Sequence, residues 1–159
     1  MLKKQTTRLT RLGSDTRFAI VASRYNAKYV NAMLTAAQRE LQRAGAKPRQ
    51  VRVVRVPGAF EIPTVAAKIA ADRSADAIIC LGAILRGETT HADHIGWGVT
   101  HALAQIQVRQ CLPVIHEVLL FENESQARVR CLGRTHNRGA EAARTAMEMV
   151  RVMKGIGNR

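Results

Sequence analysis

The chain alternates between short, almost wholly apolar runs and longer stretches in which apolar residues recur every three or four positions. Residues 17–23, Arg-Phe-Ala-Ile-Val-Ala-Ser, are a run of the first kind, the pattern of a buried strand. Val30, Met33, Leu34, Ala37 and Leu41 then repeat at helical spacing, which predicts a helix capped by Asn26, running to about Ala44 and stopped by Gly45. Residues 51–56 predict a second strand. Pro57-Gly58 turn the chain, and Pro63 falls in the first turn of a helix whose inward residues are Ile62, Val65, Ala66 and Ile69. Residues 77–85, the most apolar segment, predict a central strand. A helix over 91–109 follows, with Ile95, Val99, Ala102, Leu103 and Ile106 on one side. Residues 113–120 predict a fourth strand, 124–132 a short helix and 138–154 a final helix striped by Ala142, Ala146, Met149, Val150 and Met153.

Strands alternating with helices call for a parallel sheet covered on both faces, an α/β fold of three layers. The chain has 159 residues, the size of one domain. The expected division is an N-terminal arm over 1–16 and a core over 17–154.

Charge and cysteine content narrow the function classes. The 25 Lys and Arg residues outnumber the 12 Asp and Glu, for a net +13. The basic residues are scattered, and only 4% of the chain is aromatic, too little for base-stacking platforms, so nucleic-acid binding is disfavoured. An anionic small molecule fits the charge as well. Three cysteines without a CxxC pair suggest neither a disulfide framework nor a zinc site; Cys80 and Cys111, among apolar neighbours, read as buried thiols of a reducing compartment. No apolar run approaches a membrane span, and the basic start lacks a signal-peptide core, so a soluble cytoplasmic protein is expected.

Ligands of such sheets sit beyond the carboxyl ends of the strands, so Ser23–Asn26, Gly58–Glu61, Arg86–His91 and His116–Phe121 are expected to converge. Tyr25 can stack on a planar ring, or serve as a half-buried core tyrosine. Gly58 permits close backbone approach, Phe60 adds a second aromatic face, and Glu61 stands where a helix dipole favours a carboxylate. Gly87, Thr89 and Thr90 precede a helix start, a ready anion site, and His91 can exchange protons near neutral pH. Ordinary capping and a surface imidazole remain the plainer alternatives. His94 and His101 read as structural, and His91, Asp93 and His94 diverge around the helix too far for a metal triad. Arg130 and Arg138 flank residues 131–137; they could clamp a phosphate or belong to a solvated basic loop. The nucleophile-elbow, P-loop and dinucleotide fingerprints are missing.

Four segments in order, Ser23-Arg24-Tyr25-Asn26, residues 56–63 (Val-Pro-Gly-Ala-Phe-Glu-Ile-Pro), residues 81–91 (Leu-Gly-Ala-Ile-Leu-Arg-Gly-Glu-Thr-Thr-His) and residues 137–143 (Asn-Arg-Gly-Ala-Glu-Ala-Ala), together resemble the lumazine synthase family. The resemblance covers about Arg17 to Lys154 and implies a flavodoxin-like strand order, 2-1-3-4. It implies condensation of 5-amino-6-(D-ribitylamino)uracil with 3,4-dihydroxy-2-butanone 4-phosphate in riboflavin biosynthesis, with no metal or organic cofactor. By resemblance, Tyr25 stacks on the pyrimidine and Asn26 follows it. Gly58, Ala59, Phe60 and Glu61 line the ribityl side, and the strand end Ala83, Ile84 and Leu85 reads the pyrimidine edge. Gly87, Glu88 and Thr89 hold the phosphate, completed by Arg130 of an adjoining subunit, while His91 transfers protons and Arg138 takes a catalytic lysine's place.

Departures from the family pattern fall at His116-Glu117, where Phe-Gly is usual, at Leu120-Phe121, and at Arg138. His116 would give the pyrimidine a polar contact. The resemblance also implies a homopentamer, with twelve packed into a sixty-subunit shell, and makes riboflavin synthase a candidate partner. Leu2–Leu9 could pair with a neighbour's sheet edge. The alternative is a non-catalytic flavin- or lumazine-binding or shell-forming protein on the same fold.

Overall fold

The structure, a computed structural model, describes Gly13, residues 15–133 and residues 135–157. The Leu2–Leu9 stretch considered for edge pairing lies outside the described residues.

Burial explains which strands are central. β1 (Phe18–Ser23) is buried at every position and β3 (Ala77–Leu85) at all but its last, because each has a strand on either side and helices above and below. The sheet is parallel throughout, in the order β2-β1-β3-β4, where β2 is Val51–Val56 and β4 is Val114–Phe121. This is the three-layer α/β fold and the strand order expected. Alternate strand residues serve opposite layers. Ile20, Ala22, Ile79 and Leu81 pack toward α1 (Ala27–Arg43), α4 (Glu124–Cys131) and α5 (Arg138–Gly157). Ala19, Val21, Ile78 and Cys80 pack toward α2 (Ile62–Ala71) and α3 (His91–Gln110). Phe18, Ile20, Ile78, Ile79 and Leu81 lose essentially all contact with water. Each such side chain contributes about 1.5–3 kcal/mol.

Register sets the shape of the carboxyl edge. Ala22 lies opposite Leu81 and Leu85 opposite Phe121, so Ala83, Ile84 and Leu85 run on beyond the tip of β1. Where β1 stops, the Ala83 carbonyl loses its ladder partner and instead accepts a hydrogen bond from Asn26 Nδ2 at 2.7 Å. Asn26 was expected to cap α1. It does stand at the helix start, in a left-handed conformation (φ 53°), but its side chain makes no cap bond because β3 has taken it.

Other departures are small. A single 3-10 turn at Pro48–Gln50 precedes β2, and the buried Gln50 amide donates to the Thr16 carbonyl. Cys111 is exposed, not buried: it ends α3 with φ 48°, outside the layer that buries Cys80. Gly139 of α5 sits directly on the main chain of Met33 in α1, the closest helix approach in the fold for which a side-chain-free residue is needed. Among the described residues, no helix is long and apolar enough to cross a membrane.

Candidate active site

The loops at the sheet's carboxyl edge are stitched together by main-chain bonds. Arg24 N donates to Val56 O at 2.8 Å and Tyr25 N to Pro57 O at 3.0 Å, which joins the loops after β1 and β2. Asn26 joins the first loop to β3, and Arg86 N donates to Phe121 O at 2.9 Å, which joins β3 to the tip of β4. On this platform two aromatic rings face solvent, Tyr25 at 73% exposure and Phe60 at 61%. Rings exposed beside a cluster of loops are available to stack on a planar ligand. Phe60 lies against Gly98 of α3, where a Cβ would come within 3.2 Å of the ring. Ala83 and Ile84 are buried and Leu85 half-buried, so the main chain is what they can offer a ligand. Glu61 accepts from Gly58 N at 2.8 Å, which fixes its carboxylate over the turn.

Beyond β3, residues 87–90 are exposed and lead into α3. Thr90 makes no side-chain cap bond, and His91 N reaches only Thr89 Oγ1, at a long 3.4 Å. The helix therefore begins with loosely satisfied N–H groups beside a hydroxyl and the exposed His91 imidazole, an arrangement suited to an anion. Arg86, in the same loop, serves the structure. Its guanidinium grips Asp93 with two bonds, 2.6 and 2.7 Å, and Glu122 with a third at 2.6 Å. Those bonds to Arg86 hold the Asp93 carboxyl below the usual range. Because the folded value is depressed, the stabilisation is present above the ordinary carboxylate range and is lost as pH falls through the folded value. Arg86→Met is expected to lower stability only modestly, because the paired groups are one-third exposed and screened by solvent. Thermal unfolding checks this: the deficit should shrink in acid and in high salt, and a loss that ignores both would contradict the role.

His94 bonds Thr90 and His101 bonds Gln105, both within α3. Among the described residues, no three His, Cys, Asp or Glu side chains are grouped to hold a metal ion.

His116 was expected among the strand tips. The structure puts it in the middle of β4, opposite Cys80, and only the Phe121 end of that segment reaches the edge. Its Nδ1 accepts from Val118 N at 3.1 Å, so in the neutral ring Nε2 carries the proton and donates to Thr100 Oγ1 at 2.8 Å. A hydroxyl that receives this bond is not activated as a nucleophile. Burial pulls the His116 pKa down, consistent with a neutral ring.

On the opposite sheet face, a cavity of about 440 Å³ opens between β4 and α4; Phe121, Ser125, Gln126, Arg130 and Arg138 line it. Arg138 Nη1 bonds Glu141 at 2.8 Å, while its Nε is buried without a partner. Glu117 lies nearby. Burial pushes its carboxyl up to about 7, with Arg138 and Arg130 opposing that rise.

Tyr25, Asn26, Gly58–Glu61, Ala83–Leu85 and Gly87–His91 thus gather along one edge. Phe60 and His91 belong to the α2 and α3 layer, whereas Arg130 and Arg138 lie on the α1, α4 and α5 side, with the sheet between. Two features escaped the sequence: the Arg86 clamp, whose partner Glu122 is 36 positions away, and the placement of Glu117 within electrostatic reach of Arg138. An acid inside an apolar strand was the available signal for the second. The sequence model of the 6,7-dimethyl-8-ribityllumazine synthase family matches residues 15–154.

Proposed function

This chain belongs to the 6,7-dimethyl-8-ribityllumazine synthase family, and on that premise we propose that it condenses 5-amino-6-(D-ribitylamino)uracil with 3,4-dihydroxy-2-butanone 4-phosphate. Family membership carries a transferase-type enzyme of riboflavin biosynthesis that assembles into oligomers. In the proposed reaction, the pyrimidine's 5-amino group attacks the ketone and forms an imine with loss of water. Phosphate leaves, the enol rearranges, and the ribityl-bearing amine closes the ring with loss of a second water.

Each residue has a part in this proposal. Tyr25 stacks on the pyrimidine, and the Ala83–Leu85 main chain reads its edge. Gly58, Ala59, Phe60 and Glu61 hold the ribityl chain. N–H groups of Gly87, Glu88 and Thr89 receive the phosphate at the open start of α3; the Glu88 carboxylate must point away from it, since like charges repel. His91 moves protons during imine formation and phosphate departure. Most of the acceleration would come from holding two reactants in register.

The observation that carries the proposal is the separation of the two cation-bearing regions. Within one protomer the sheet stands between His91 and the Arg130–Arg138 cavity. With the two on opposite sheet layers, a phosphate held at Thr89 would take Arg130 from a neighbouring copy, as in a ring of subunits. This favours an assembly in which neighbours complete one another's sites; by the proposal that assembly is a homopentamer, or a sixty-subunit shell of twelve such rings.

An assay with both substrates, with the solution mass measured alongside, tests the proposal. Lumazine should form, by an assembly of five or a multiple of five. His91→Ala should lower kcat by about 10²-fold with KM little changed, because positioning survives loss of proton transfer; an unaltered kcat at saturation would remove His91 from the chemistry. The departures at His116, Glu117 and Leu120 favour one other reading, a member that binds flavin or lumazine without making it. Tight binding with no product would select that reading.

A further inference from the structure

Glu117 is an acid in a mostly apolar strand. On β3 its partner is the fully buried Leu81. Its charged and titratable neighbours come from two helices: Arg138 and Glu141 from α5, Arg130 and Cys131 from α4. Among the described residues the Glu117 side chain makes no hydrogen bond or ion pair, and Arg138 pairs with Glu141 instead, at 2.8 Å. That pairing leaves Arg138 Nε buried and unbonded. A buried N–H without an acceptor is destabilising, so this guanidinium gains by turning toward one. Two acceptors can compete for it: an anion in the cavity that Arg130 and Arg138 line, and the Glu117 carboxylate behind them.

We propose that Glu117 is a positioning residue for Arg138. As the neutral acid it leaves the guanidinium to an anion in the cavity, and as the carboxylate it draws the guanidinium back to the strand. The proposal rests on the phosphate-binding role given above to Arg130, whose cavity Arg138 also lines. Burial, opposed by Arg138 and Arg130 and reinforced by Glu141, brings the Glu117 titration up to about 7, so the exchange falls in the neutral range. The same shift has a stability consequence. The native state holds a proton that the unfolded chain releases, so this stabilisation is complete below the unfolded value of 4.5 and is lost as pH rises through about 7.

Sulfate is the probe, because it stays a dianion across the neutral range and does not itself titrate. The assembled protein is titrated with sulfate by calorimetry at about pH 6 and about pH 8, at constant ionic strength. Wild-type affinity should fall roughly fivefold to tenfold between the two, and Glu117→Gln should hold its acid-side affinity, because a competing ion pair has been removed. Any slope that arises elsewhere in the protein appears in wild type and Glu117→Gln alike and cancels. Arg138→Gln, the second variant, should bind sulfate more weakly and lack the wild-type slope. Equal slopes in wild type and either variant overturn the role of Glu117. Arg130→Ala separates the two levels. If it abolishes sulfate binding while the slopes stay equal, only the Glu117 proposal falls. If it leaves sulfate binding intact, the anion-site reading falls, and this proposal with it.

Discussion

Gly139→Ala is expected to melt on the order of 10 °C below wild type and to give a reduced yield of soluble, folded protein. A Cβ at this position would overlap the carbonyl of Met33, and the obstacle is backbone, which cannot turn aside as a flexible side chain would. To admit it, α5 must move off α1. The contact between them is built for closeness: Met33, Ala37 and Leu41 meet Ala142, Ala143, Ala146, Met147 and Val150, all buried. Separating the helices opens voids along that whole seam and lengthens the pair between Arg144 and the largely buried Glu40, now 2.8 Å. Overpacking of this kind costs about 3 kcal/mol or more, a melting decrease on the order of 10 °C for a chain of this size. Gly155→Ala is the control. Nothing lies within 4 Å of a Cβ there, and alanine favours a helix, so stability should be unchanged or slightly raised. Soluble yield and thermal unfolding decide the matter; a Gly139→Ala protein melting within a few degrees of wild type would mean that the two helices are held less closely than described.

Arg130→Ala carries the largest expected loss of activity. A guanidinium can bind phosphate with two parallel bonds, and removal of one charged donor from such a site lowers kcat/KM by about 10²–10³-fold. The loss should follow the concentration of the sugar phosphate and leave pyrimidine affinity nearly intact. Because the sheet divides Arg130 from His91, the defect should also be complementable. Arg130→Ala and His91→Ala are each impaired alone. Assembled together at random in a head-to-tail ring, roughly a quarter of sites would combine an intact His91 with a neighbour's intact Arg130. Recovery toward that fraction is expected on co-assembly and not on mixing finished assemblies. Failure to recover on co-assembly would place both residues in one protomer's site and refute the shared pocket.

The sequence disclosed the frame more fully than the site. β1 and β3 were legible because a strand buried on both faces must be apolar throughout, and α5 because a helix packed on one side carries a stripe. The strand tips could be named in advance, since a parallel sheet directs every carboxyl end the same way. Asn26 was misjudged because helix capping is a local affair, whereas the demand from the Ala83 carbonyl arises 57 positions away. His116 was misjudged for a related reason: spacing along a strand does not reveal how deep in the sheet a residue lies, and its pairing with Cys80 puts it well short of the tip. Cys111 had apolar neighbours in sequence but caps a helix in space. The proposed division of the site between copies is invisible to spacing altogether, because no separation along one chain encodes a contact with another.

The early end of β1 has a wider meaning for position 26. An exposed step in a sheet leaves a lone carbonyl, and here a carboxamide nitrogen fills it. Aspartate, nearly the same in outline, would set two oxygen lone pairs against each other, and a shorter side chain would leave the step open. The identity of a residue that stands at the mouth of a pocket can thus be dictated by masonry: the need to finish a broken course of main-chain bonds, whether or not any ligand ever touches it.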